Sequence, residues 1–110
     1  MASRKVVSYV VEQKGPRSSV KLTGDLTAVL VPDLQAALKK ELGKGARELV
    51  FDLARTTMLD SSGIGLLIAA ANSMASHEGE VRVTNACPDV FRLLQSMRLT
   101  SRLNVTGRPE

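Results

Sequence analysis

The sequence predicts a single α/β domain: a mixed β-sheet that begins with a hairpin, continues as alternating helices and strands, and carries its helices packed on it. Three observations support that expectation. The length, 110 residues, is that of one ordinary domain. Two segments of strand character flank a Gly-Pro turn near the start. Beyond them, apolar residues recur alternately at helical spacing and in short β-like runs, the rhythm of helix-linked strands.

Taken in order, Val6–Gln13 is apolar and β-branched and reads as a strand. Lys14-Gly15-Pro16-Arg17 punctuates it as a turn, and Ser19–Thr23 alternates polar and apolar residues up to Gly24. The two strands are expected to pair as an antiparallel hairpin. After a connection over residues 25–32, Asp33–Leu42 sets Leu34, Ala37, Leu38 and Leu42 on one helical face, with Lys39, Lys40 and Glu41 mostly on the other. Pro32 suits the first turn, where a missing N–H costs nothing, and Gly43 suits the stop.

Glu48–Leu53 is a compact apolar run predicted as a central strand buried on both faces. A second helix follows, opening at Ser61 and running through Leu- and Ala-rich sequence to Ser76, with Gly79 at its end. Asp60 and Ser61 both have N-cap chemistry. Glu80–Thr84 reads as a further strand. Pro88 and Asp89 open a third helix, Val90–Met97, with Val90, Leu93, Leu94 and Met97 facing inward. Leu103–Val105 fits either a short strand or a final turn. The order is ββαβαβα, with right-handed parallel crossovers. It forms one domain over residues 1–110 with its core at about 6–106, and the chain shows no repeat or linker.

Composition narrows function. Hydrophobic residues make up 44% of the chain but aromatic residues only 3%, so the core is aliphatic and base-stacking or sugar-binding platforms are disfavoured. The net charge of +4 is spread without a dense basic stripe or nucleic-acid motif, so direct nucleic-acid binding is not expected. One cysteine, Cys87, and one histidine, His77, leave no internal disulfide and no cysteine zinc cluster, and no cofactor is expected. The start lacks an apolar signal core, and the most apolar run, Ile64–Ala71, is too short to cross a bilayer. A cytoplasmic protein without membrane insertion is the expectation.

The informative segment is Met58-Leu59-Asp60-Ser61-Ser62-Gly63-Ile64-Gly65-Leu66. It follows the most apolar strand and opens a helix, so it lies beyond the carboxyl end of that strand, where α/β folds place functional groups. A helix N-terminus offers unpaired N–H groups and positive partial charge. Gly63 and Gly65 either admit another molecule's backbone or permit close helix–sheet packing. Two hydroxyls and a carboxylate are displayed together.

Asp60-Ser61-Ser62-Gly63 followed by Ile64-Gly65-Leu66 resembles the signature of the STAS family, the sulfate transporter and anti-sigma factor antagonist domains. Leu22-Thr23-Gly24-Asp25-Leu26, Val50-Phe51-Asp52-Leu53 and Val90-Phe91-Arg92-Leu93-Leu94 are similar to other family landmarks, and the resemblance spans nearly the whole chain. It implies a stand-alone anti-sigma factor antagonist: a regulatory module, not an enzyme, that docks on an anti-sigma factor that is also a serine kinase. In that subgroup the kinase phosphorylates the first serine of the element, here Ser61, which switches docking off; a phosphatase reverses it. The same resemblance implies a docking surface comprising Asp25, Thr27, Met58, Asp60, Ser61, Ser62, Gly63, Gly65 and Leu66. Thr27 departs from the family, which often has an aspartate there. A second implication is a constitutive STAS subunit of a membrane transport complex, of the lipid-trafficking ABC type, in which the hydroxyls serve docking alone.

Other chemistries fit poorly. Ser61 is not in Gly-x-Ser-x-Gly, and the lone His77 sits at the far end of the same predicted helix, roughly 20 Å away at 1.5 Å per residue. No Gly-Lys-Ser/Thr follows the glycines, so a phosphate loop is absent. Met58, Met74 and Met97 suit core filling or an adaptable surface. Leu66, Leu67 and Ala70 are expected to divide between the core and a partner-facing side.

Overall fold

A computed structural model describes residues 9–109 of the chain. Its elements are β1 (Tyr9–Lys14), β2 (Arg17–Leu22), α1 (Val31–Gly43), β3 (Glu48–Asp52), α2 (Ser61–Ser76), β4 (Glu80–Ala86), α3 (Pro88–Ser96) and β5 (Val105–Gly107). The Val6–Ser8 part of the expected first strand lies outside the described residues. The five strands form one sheet in the order β1-β2-β3-β4-β5, antiparallel at β1–β2 and parallel thereafter. The mixed α/β expectation is met, hairpin included.

Strand order explains the layering. Each crossover from β2 to β5 steps to the adjacent strand in the same direction, so right-handed connections put α1, α2 and α3 on one face of the sheet. Burial follows with a period of two. Ser18, Val20 and Leu22 of β2, Leu49 and Phe51 of β3, and Val81 and Val83 of β4 are buried. Arg17 and Lys21 are exposed between them, as are Glu80 and Arg82, whereas Glu48, Val50 and Asp52 are half-buried. The expectation that β3 is buried on both faces is therefore incorrect. A sheet with all its crossovers on one side leaves its other face to water, and here an ion-pair chain crosses that face. Glu48 accepts from Arg17 at 2.6 Å and from Arg82 at 2.7 Å, and Arg82 also reaches Glu80 at 3.0 Å.

Other differences have local causes. α1 runs through Gly43, and it is Gly45, with φ +87°, that takes the left-handed position beyond the helix end. Glu78, with φ 60°, does so after α2, whose C-cap is His77 and not Gly79. β4 extends to Ala86 through an irregularity in its pairing with β5, where Asn85 has φ 60°. In α3, Val90 and Leu94 are buried but Leu93 is only half-buried, and Met97, 46% exposed at the C-cap, does not face inward as expected. Leu103–Val105 divides between the alternatives: Leu103 is a fully buried turn residue, and Val105 begins β5.

The core is aliphatic, with Phe51 its one fully buried large aromatic. It also holds a polar pair: Ser18 Oγ donates to Glu41 Oε1 at 2.7 Å, and Lys44 Nζ reaches the other oxygen at 3.3 Å. Glu41 thus lies on the buried side of α1, opposite to its assignment from periodicity. Its partner on β2 is what makes that burial tolerable.

Candidate functional site

The site grows from the carboxyl ends of β2 and β3. The loops that leave these strands, residues 23–30 and 53–60, do not diverge. Leu26 pairs with Leu59 in an isolated parallel bridge. Leu26 N–H donates to Met58 O at 3.3 Å, and Asp60 N–H to Leu26 O at 3.3 Å. Buried Thr56 donates its hydroxyl to Gly24 O at 2.7 Å. The two loops behave as a short continuation of the sheet.

Two carboxylates lock this frame. Asp25 Oδ1 accepts from Thr57 N–H at 2.9 Å, Thr57 Oγ1 at 3.1 Å and Met58 N–H at 3.1 Å. Asp60 is the N-cap of α2, with Oδ1 accepting from Gly63 N–H at 2.8 Å and Oδ2 from Ala28 N–H at 2.9 Å. The cap is Asp60 alone; Ser61 is the first helical residue. Both carboxyls are held below the usual aspartate range. The Thr57 N–H is the main cause at Asp25, and the Gly63 and Ala28 N–H groups at Asp60, because hydrogen bonds to the charged form favour it.

On this frame the residues singled out from sequence separate into two sets. Ser61, Ser62 and Gly65 are exposed, Asp60 and Thr27 are half-buried, and Met58 is 51% exposed. Gly63 and Leu66 point inward. Leu66 is 4% exposed, and Leu67 and Ala70 are buried with it, so the expected division of that helix between core and partner side does not occur at these residues. The outer side of α2 is instead Ser61, Ser62, Gly65, Ala69 and Asn72. A Cβ on Gly63 would lie 2.4 Å from Leu26 O, so of its two readings close packing is the one the geometry supports. Asp25 is exposed, but its carboxylate is engaged within the protein. Thr27 accepts through its carbonyl from Leu30 and Val31 N–H and so starts the turn into α1.

Sequence reasoning missed Val29, 90% exposed on the loop held by the Asp60–Ala28 bond. Val29 sits in the apolar run Ala28-Val29-Leu30-Val31, where sequence does not distinguish the exposed valine from the buried Leu30, and the Asp60–Ala28 bond ties its loop to the start of α2. His77 lies at the opposite end of α2, with Nδ1 2.8 Å from Ser73 O, and Cys87 is buried. Among the described residues, no cluster of metal-ligating side chains occurs and no helix is long and apolar enough to cross a membrane. Each Asp60 oxygen accepts a backbone N–H, which favours the charged carboxylate. The arrangement is a rigid display of hydroxyls.

A family model described as "Mlab, STAS domain" matches residues 10–105. The chain belongs to the STAS domain family. It is similar to the anti-sigma-B factor antagonist of Staphylococcus aureus, 24% identical over 91 residues that cover 83% of this chain and 84% of that protein. Among solved structures it resembles an anti-sigma factor antagonist from Mycobacterium paratuberculosis, with TM-score 0.78, 22% identity, and coverage of 96% and 89% of the two chains. It also resembles the Bacillus cell fate determinant SpoIIAA in its phosphorylated form, with TM-score 0.75, 20% identity, and coverage of 93% and 92%.

Proposed function

We propose that this protein is an anti-sigma factor antagonist, a cytoplasmic regulatory module that acts by binding and not by catalysis. It docks on an anti-sigma factor that is also a serine kinase, through the exposed part of the surface around Ser61. Phosphorylation of Ser61 switches docking off, and a phosphatase restores it. The observation that carries this reading is the exposed Ser61 at the first turn of α2, on a frame held by Asp25 and Asp60. The names of the Staphylococcus and Mycobacterium relatives support the antagonist role, and the phosphorylated form of SpoIIAA supports a covalent switch.

The energetics favour a switch without refolding. A phosphate adds about 1.5 to 2 negative charges at neutral pH. In the free domain the α2 N-terminus stabilises it by roughly 0.3–1 kcal/mol. In a complex, burying it without a cationic partner costs several kcal/mol. The second effect is larger, and a loss of about 4 kcal/mol weakens binding near a thousandfold. Asp60 repels the phosphate in both states and does not discriminate between them.

The test is intact-mass and phosphopeptide analysis of the protein from its own cells beside a Ser61→Ala variant. Phosphate at Ser61 in the parent and absent from the variant is the expected result. Ser61 unmodified across growth and stress conditions overturns the switch. A second reading, a constitutive STAS subunit of a lipid-trafficking ABC transporter, is favoured by the Mlab description of the matching family model. Stable co-purification with a membrane ATPase, independent of Ser61, selects it.

A further inference from the structure

A groove of about 600 Å³ opens between the start of α3 and β5, lined by Ala86, Pro88, Phe91, Arg92, Gly107, Arg108 and Pro109. Its size is that of a small-molecule site. It lies at the carboxyl end of β4, on the same edge of the sheet as the Ser61 loop but built from other residues. The floor is apolar, and Gly107 leaves the Phe91 ring open: a Cβ there would stand 3.9 Å from Phe91 Cδ2.

Two guanidiniums border this apolar floor, and they are not equivalent. Arg92 is paired with Asp89 at 2.6 Å. Arg108 has no carboxylate partner among the described residues; one of its N–H groups donates to Ala54 O at 3.0 Å. A guanidinium carries five N–H donors in a planar fork, so Arg108 retains capacity for a bidentate oxyanion. An apolar floor beside a cation that has no carboxylate partner among the described residues is complementary to a molecule with an apolar body and a single carboxylate.

We propose that the groove between α3 and β5 binds a small amphiphilic monocarboxylate, its apolar body against Phe91, Pro88 and Pro109 and its carboxylate on Arg108. Ala54 opens the loop that leads to Ser61, so the Arg108–Ala54 bond makes occupancy detectable there. This site does not depend on the phosphorylation reading.

The test is titration of the full chain, followed by backbone amide NMR, with three probes below their aggregation concentrations: decanoate, 1-decanol and acetate. Decanoate is expected to shift the amides of Ala86, Phe91, Gly107, Arg108 and Ala54 saturably. Decanol, with the same tail and no charge, binds roughly tenfold more weakly, and acetate produces no saturable shift. Arg108→Gln, at an exposed position, brings decanoate to the level of decanol, whereas Arg92→Gln changes it less. Gly107→Val fills the groove and weakens both long-chain probes. Equal affinity of decanoate and decanol, indifference to Arg108→Gln, or shifts that do not map to the groove overturn the proposal.

Discussion

Gly63 and Leu26 meet so closely that a Cβ on Gly63 would stand 2.4 Å from the Leu26 carbonyl oxygen and 2.9 Å from its Cγ. Leu26 is fully buried, and its backbone is bonded to Met58 and Asp60 on either side, so it has no room to retreat. Gly63→Ala is therefore expected to destabilise the domain by about 1–3 kcal/mol, as overpacking does. Gly65→Ala, with nothing within 4 Å of the new methyl, is expected to stabilise it by up to about 1 kcal/mol through helix propensity. Urea unfolding of the two variants decides the matter, and equal effects would refute the packing argument.

Asp60 joins α2 to the loop at Ala28 through separate oxygens, so its loss removes a cap and a tether together. Asp60→Ala should lower the thermal midpoint by a few degrees and Asp60→Asn by less, since one oxygen still accepts. Ser61→Ala, exposed and outside the cap, should stay within about 0.5 kcal/mol of the parent. A Ser61→Ala midpoint as low as that of Asp60→Ala would show that Ser61 is structural.

Stability should fall on the acid side. Asp25 and Asp60 are lowered by N–H donors, and Glu48 mainly by its hydrogen bond from Arg17. A depressed carboxyl contributes stability that is present above its unfolded value and lost as pH falls through its folded one. The unfolded values are 3.8 for aspartate and 4.5 for glutamate, so the loss begins near these and continues below them. Thermal melts from pH 7 to 2 should show a plateau and then a decline. Removing Asp25 and Asp60 together as asparagines should flatten that decline, and an unchanged acid limb would exclude them as its source.

The Ser18–Glu41 pair is buried beneath α1. Ser18→Ala leaves a carboxylate oxygen without its donor and should cost about 1–3 kcal/mol. The double variant Ser18→Ala, Glu41→Leu should recover part of that loss, because it removes the stranded group. Additive losses in a double-mutant cycle would contradict the coupling.

Much of the fold was legible in the chain. The hairpin turn at Gly15-Pro16, the helical spacing of Leu34 and Leu38, and the Asp60 cap are local signals, and each appears where periodicity and turn chemistry put it. Two of the errors fell where distant packing decides. Glu41 looked solvent-facing until Ser18 was beside it, and β3 looked doubly buried because Leu49-Val50-Phe51 is apolar throughout. Within the site, Asp60, Ser61 and Ser62 were readable as one helix start, whereas Val29 was not, since it lies in an apolar run beside the buried Leu30.

By itself, then, the sequence determined the element order through the third helix, the aliphatic core and the helix start that displays Ser61, because these depend on residues a few positions apart. Tertiary structure alone decided which sheet face is covered, that Leu66 and Gly63 belong to the packing, and that the Asp25 and Asp60 carboxylates clamp two loops. The physical reason is range. Propensity, capping and periodicity act within a few residues, but the Asp25–Met58 and Asp60–Ala28 bonds join groups more than thirty positions apart, brought together only when β2 and β3 pair.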